Sequence, residues 1–143
     1  MPAPFAHELL VIRHGETEWN AAGRWQGHLD SPLTAQGEAQ ARTLGRWLGQ
    51  QGPRYAHPLI SSDQGRARRT AGLIAEAAGW SGPITEDERL REIDVGRWTG
   101  LSRAEIIAER PEAESMHWLD LYAMAPGGES FDALWSRCAD VLA

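Results

Sequence analysis

The stretch Leu9-Leu10-Val11-Ile12-Arg13-His14-Gly15-Glu16-Thr17-Glu18-Trp19-Asn20 decides how the rest of the chain is read. A short apolar run with β-branched residues ends abruptly in Arg-His-Gly, followed by polar, turn-forming residues. Such a run predicts a buried strand over 8–13 that delivers an arginine and a histidine to the mouth of a sheet. Open α/β sheets place their sites outside the carboxyl ends of strands. Position alone therefore makes His14 a candidate nucleophile.

Outward from that strand the chain alternates. Residues 1–7 read as a flexible lead-in, and 14–33 as a polar loop closed by Asp30-Ser31-Pro32. Thr34 is placed to cap a helix reaching about Gln51, which Gly52-Pro53 ends. Pro58 to Ser62 reads as a second short strand. Asp63 then caps a helix with Ala67, Ala71, Ile74 and Ala78 inward, and Gly79 stops it. Ile84 to Arg89 is expected to be a third strand, and Leu90 to Gly100 irregular. Ser102-Arg103-Ala104-Glu105 fits a capping box, and Pro111 opens a stretch running through Trp118 and Leu121. In the last helix, capped by Ser130, Phe131, Leu134, Trp135, Cys138, Val141 and Leu142 share one face. Strands alternating with helices predict an α/β sandwich in one domain spanning 1–143.

Size and charge narrow the functional classes. A chain of 143 residues is long enough for one core and too short for two ordinary domains. A net charge of −6 argues against nonspecific binding to nucleic acid or acidic membranes. No apolar run approaches membrane-spanning length, and the first residues lack signal-peptide character. The lone Cys138 demands no oxidising compartment, so a cytoplasmic location is expected. All basic residues are arginine, whose planar donor fork suits phosphate.

Arg13-His14-Gly15-Glu16-Thr17 with Trp19-Asn20 resembles the signature of the histidine phosphatase superfamily, with its phosphoglycerate mutase-like fold. Three later stretches keep that family's order: Ser61-Ser62-Asp63 with Arg66-Ala67 and Thr70-Ala71, then Leu90-Arg91-Glu92 with Gly96, then Pro126-Gly127-Gly128-Glu129-Ser130. The resemblance implies a three-layer α/β/α sandwich with a mostly parallel sheet. It also implies a second catalytic histidine beyond the helix after Glu129-Ser130. The chain reaches Ala143 within that helix, so a domain lacking its C-terminal strand or strands and helix is expected. Uncovered apolar surface then predicts homo-oligomerisation, strand exchange or low stability.

The chemistry of the residues fits phosphoryl transfer. Attack on phosphorus needs an imidazole lone pair, with the other ring nitrogen held by a hydrogen bond, for which a backbone carbonyl near Gly15 is placed. Arg13 and Arg66 are the candidates for stabilising the transferring phosphoryl group. Arg68 and Arg69 read as solvated or ion-paired. Expelling an alkoxide needs a proton donor, and Glu86, Glu88, Glu92 and Asp94 compete on chemistry alone. The resemblance selects Glu92, and it places Asn20, Gln26 and Gly27 at the substrate pocket. His7, His28, His57 and His117 receive no role.

The function expected is hydrolysis of a small cytosolic phosphomonoester through a phosphohistidine, with no metal and no cofactor. The resemblance implies the phosphatase branch, including enzymes of α-ribazole phosphatase type, because the family's mutases carry a larger insertion than the interval between Glu92 and Glu129 holds. Phosphoglycerate mutase-type transfer, or a weakly active or inactive phosphate-binding domain, are the alternatives.

Overall fold

The computed structural model describes residues 9–52 and 58–142. Leu59–Ser61 (β1) and Ile84–Glu86 (β2) form a parallel pair, Leu59 opposite Ile84 and Ser61 opposite Glu86. Parallel neighbours need a crossover, and the helix α3 supplies it over Gly65–Ala78. Gly79, at φ +70°, ends that helix in the left-handed conformation that suits glycine. The mixed α/β class is thus present, with a small parallel sheet.

Before the sheet come a one-turn helix α1, Glu18–Ala21, and the longer α2, Ala35–Gln50. Thr34 caps α2 by accepting from Gly37 N, as its position predicts. Small residues let α2 lie close against α3: Gly45 faces Ile74 and Ala77, and Gly49 faces Ala78. Ala41, Leu73 and Ile74 form the buried centre of this contact, with Ile12, Leu33, Leu44 and Leu48 packed around it.

A second core lies under the C-terminal half. It gathers Ile93, Val95, Trp98, Ile106, Ala113, Leu121 and Ala125. These come from the loop after β2 and from α4 (Arg103–Glu109), a 3-10 turn over Pro111–Ser115, and α5 (Trp118–Met124). Ser102 and Glu105 form the expected capping box at the start of α4. The last helix, α6, covers Phe131–Leu142, and Ser130 Oγ accepts from Ala133 N at 3.2 Å.

Two expectations are corrected. The predicted strand over 8–13 forms no ladder among the described residues. Val11 is 82% exposed and Leu9 64%, while Ile12 packs on the α2–α3 contact. An apolar run supplies a buried strand's side chains, but a strand exists only through a paired neighbour. Among the described residues none pairs with this segment. The cap residue of α3, in turn, is Gln64 and not Asp63, and it makes no side-chain cap bond. The apolar face of α6 is only partly covered, with Trp135 76% exposed. The lead-in at 1–7, Glu8, Pro53 and His57 lie outside the described residues, as does the side chain of Leu142. No helix among the described residues is long and apolar enough to cross a membrane.

Candidate active site

The His14 loop is pinned between α1, α2 and α3. Glu16 O accepts from Thr34 N at 2.9 Å, and Glu18 N donates to Pro32 O at 3.0 Å. Thr17 is fully buried, caps α1 and donates its hydroxyl to Gln26 Oε1 at 3.0 Å. Gly15 and Gly37 meet backbone to backbone, with no space for a Cβ on either. The imidazole therefore leaves a rigid support. Its Nδ1 lies 2.7 Å from Gly15 O. A carbonyl only accepts, so Nδ1 carries the proton and Nε2 keeps its lone pair. Burial, aided by the charges of Arg66 and Arg13, pushes the imidazole below the usual value of 6.5. The Gly15 hydrogen bond and the Glu92 charge act the other way and are outweighed.

Arg66 stands in the first turn of α3 and is 2% exposed. Nη1 donates to Leu29 O at 2.7 Å and Asp30 Oδ1 at 2.9 Å. Nη2 donates to Gly27 O at 2.9 Å, Gln64 Oε1 at 3.1 Å and Glu92 Oε2 at 2.8 Å. Nε is buried and has no partner among the described residues. Asp30 also accepts from Gly65 N and from Arg66 N, the latter at 3.2 Å, so it caps α3 from another loop. Asp63, expected in that role, pairs with Arg91 instead. The end of α3 is thus already occupied by a carboxylate. Arg13, exposed and unpaired among the described residues, also brings positive charge to bear on His14.

Glu92 reaches the same place from the loop after β2. Its Oε1 lies 3.5 Å from Tyr122 Oη and its amide donates to Gln64 Oε1 at 3.1 Å. The turn Pro126-Gly127-Gly128-Glu129 packs directly on Asp94–Gly96. Glu129 N donates to Asp94 O at 2.8 Å and Arg97 N to Pro126 O at 3.0 Å. Gly96 sits at φ +48°, its α-carbon against Pro126 and Gly127. The Gly-Gly-Glu-Ser motif is therefore the support of the Glu92 loop. Arg137 of α6 completes it. It pairs with Glu129 at 2.6 Å and donates to the carbonyls of Arg89 at 2.6 Å and Glu92 at 3.1 Å.

Among the expected pocket residues, Asn20 Oδ1 accepts from Thr17 N at 3.1 Å, which leaves its amide NH₂ as the side able to donate to an anion. Gln26 is buried on Thr17, and the Gly27 carbonyl receives Arg66 and Gln64. Arg68 and Arg69 pair with Glu86 and Glu38, as expected of an ion-paired face. Sequence reading missed three contributors. His28 Nε2 lies 3.0 Å from Glu92 O. Arg137 grips the same carbonyl. Tyr122 stacks on Trp25 at 4.5 Å, and its phenol is pushed up to about 12, chiefly by burial and then by the Glu92 charge. None carries a local motif, because each acts on a group distant in sequence. His117 caps α5 by accepting from Leu119 N at 3.3 Å. Among the described residues no three His, Cys, Asp or Glu side chains converge as a metal site would require.

The Glu129–Arg137 pair makes a pH-dependent prediction. The Arg137 guanidinium holds the Glu129 carboxyl below its usual 4.5. A depressed carboxyl contributes stability that is full above its unfolded value and is lost as pH falls through the folded one. Arg137→Ala is expected to cost about 2 kcal/mol at pH 7, since it strands a half-buried carboxylate and two carbonyls. That deficit starts to shrink as pH falls below 4.5 and is gone once pH passes the lower folded value, where the native pair itself fails. Urea unfolding of both proteins at neutral and acid pH checks it. A deficit that does not depend on pH contradicts it.

A ring nitrogen with its lone pair free is thus brought under the charges of two guanidiniums, Arg66 and Arg13, and one carboxylate, Glu92. The family model for branch 1 of the histidine phosphatase superfamily matches residues 9–143, and the chain belongs to that superfamily. A "Probable phosphoglycerate mutase GpmB" of Serratia proteamaculans is 42% identical over 139 residues, 94% of this chain and 61% of that protein. The structure of Bacillus stearothermophilus YhfR is similar with a TM-score of 0.79 at 39% identity, over 91% of this chain and 62% of that one. Mycobacterial glucosyl-3-phosphoglycerate phosphatase complexed with VO3 gives a TM-score of 0.74 at 32% identity, over 90% and 59%. The chain thus spans about three fifths of the length of the relatives it matches.

Proposed function

We propose that the chain hydrolyses a small phosphomonoester through a phosphohistidine on His14. The observation carrying this is the Nδ1–Gly15 O hydrogen bond, which leaves Nε2 unprotonated while the charges of Arg66 and Arg13 act on the ring. The Nε2 lone pair forms the N–P bond while the P–O bond to the leaving group breaks. Glu92, as the carboxylic acid, gives that oxygen its proton. Arg13 and the Asn20 amide hold the phosphoryl oxygens, and the buried Arg66 guanidinium adds its positive charge. Glu92 then takes a proton from water, whose oxygen attacks phosphorus and frees the imidazole.

One observation favours a second reading: the Serratia relative's name is that of a mutase. In a mutase the phosphohistidine passes its phosphoryl group to a substrate hydroxyl instead of to water. Brief incubation with labelled 4-nitrophenyl phosphate and alkaline quenching tests both. Label stable to alkali, lost in acid and absent from His14→Gln is the expected result. Because His14 is held below 6.5, labelling should persist to lower pH than protonation of a free imidazole would allow. Turnover without label on His14 overturns the reading, and saturable phosphate binding without turnover leaves a binding domain. Transfer between phosphoglycerates in the presence of a bisphosphate primer marks the mutase.

A further inference from the structure

His14 is held through its neighbour Gly15, and Gly15 is held by Thr70. The Gly15 amide donates to Thr70 Oγ1 at 3.0 Å, across 55 residues of sequence. The Thr70 hydroxyl donates in turn to Arg66 O at 2.7 Å. Thr70 is 5% exposed, so water does not compete freely for either bond. A helical threonine bonded to the carbonyl four residues back is common. A second bond, from a loop amide on a distant segment, is not part of that habit. With its single proton committed to Arg66 O, the hydroxyl can only present a lone pair to Gly15.

The geometry around Gly15 is then fully determined. Its amide is tied to Thr70, and its α-carbon lies against the Gly37 backbone. Its carbonyl faces His14 Nδ1 at 2.7 Å. The carbonyl that receives the Thr70 proton belongs to Arg66, whose guanidinium charge acts on the same imidazole. One buried hydroxyl therefore links the nucleophile to the helix turn that carries its principal cation.

We propose that Thr70 is a positioning residue that keeps the His14 ring in its Nδ1–H form and in register with Arg66, acting through Gly15. The proposal rests on the reading of His14 as nucleophile. It requires that the tautomer respond to Thr70, although the two side chains do not touch by any hydrogen bond. Valine keeps the shape of threonine and removes both bonds. Serine keeps the oxygen.

The test is histidine ¹⁵N–¹H NMR on the full chain, with His14 assigned by its absence from His14→Gln. In the native protein the ring is expected as Nδ1–H, with a Gly15 amide protected from hydrogen exchange. In Thr70→Val the ratio of Nδ1–H to Nε2–H should fall about fivefold, the weight of one ordinary hydrogen bond. Thr70→Ser should restore it. An unchanged ratio in Thr70→Val, or no restoration by serine, overturns the inference alone. Rapid exchange of the native Gly15 amide overturns it without any variant, so a variant that does not fold cannot shelter it. A native ring in the Nε2–H form overturns the nucleophile reading, and this inference with it.

Discussion

Arg66→Ala is expected to cost about 3 kcal/mol, a large share of a small domain's stability. The size follows from what the substitution abandons. Asp30 and Glu92 lose the guanidinium they share, and the carbonyls of Gly27 and Leu29 lose buried donors. The buried Gly27 carbonyl is left without a donor, while the Asp30 and Glu92 side chains, 40% and 33% exposed, regain part of their hydration. Arg66→Lys should recover only part of this. A single ammonium cannot reproduce a planar fork that reaches five acceptors on three segments. Urea unfolding followed by tryptophan emission checks both, and the chain's seven tryptophans make that signal strong. An Arg66→Ala midpoint equal to the native one would show that the network does not hold the site together.

The same network explains which parts of the site were legible beforehand. Local rules located Thr34, Ser102 and Ser130, because a cap is written within four residues of sequence. The Gly15 carbonyl was predictable as a partner for His14 for the same reason. Chemistry alone left four carboxylates competing for the acid role, and only the family resemblance chose Glu92. What brings Glu92 to Arg66 is tertiary: the Pro126–Glu129 turn beneath Asp94, and Arg137 reaching back from α6. Asp63 was misread as a cap because it occupies the right position, whereas Arg91 claims it and Asp30 takes the helix end from a distant loop. The first apolar run was read as a paired strand because side-chain pattern reports burial preference, not the presence of a ladder partner.

Gly37 gives the clearest contest between a local rule and a tertiary one. It lies inside α2 with an ordinary backbone, so helix propensity alone predicts that Gly37→Ala stabilises by about 1 kcal/mol. The added methyl, however, would fall far inside contact distance of Glu16 O and within 2.9 Å of the Glu16 carbonyl carbon. Neither neighbour can give way cheaply. Glu16 O is already held by Thr34 N at 2.9 Å, and Thr34 caps the helix through Gly37 N at 3.0 Å. Relief requires the His14 loop to lift from α2, taking Gly15 from Thr70. Gly37→Ala is therefore expected to destabilise by about 2 kcal/mol or more and to abolish labelling of His14. Gly72 in α3 is the matched control, since nothing lies within 4 Å of its missing methyl. Gly72→Ala should move the urea midpoint upward by the propensity gain alone. Opposite signs for these two alanines are the expected result. A shift in the same direction for both would mean that the nucleophile loop is not seated on α2.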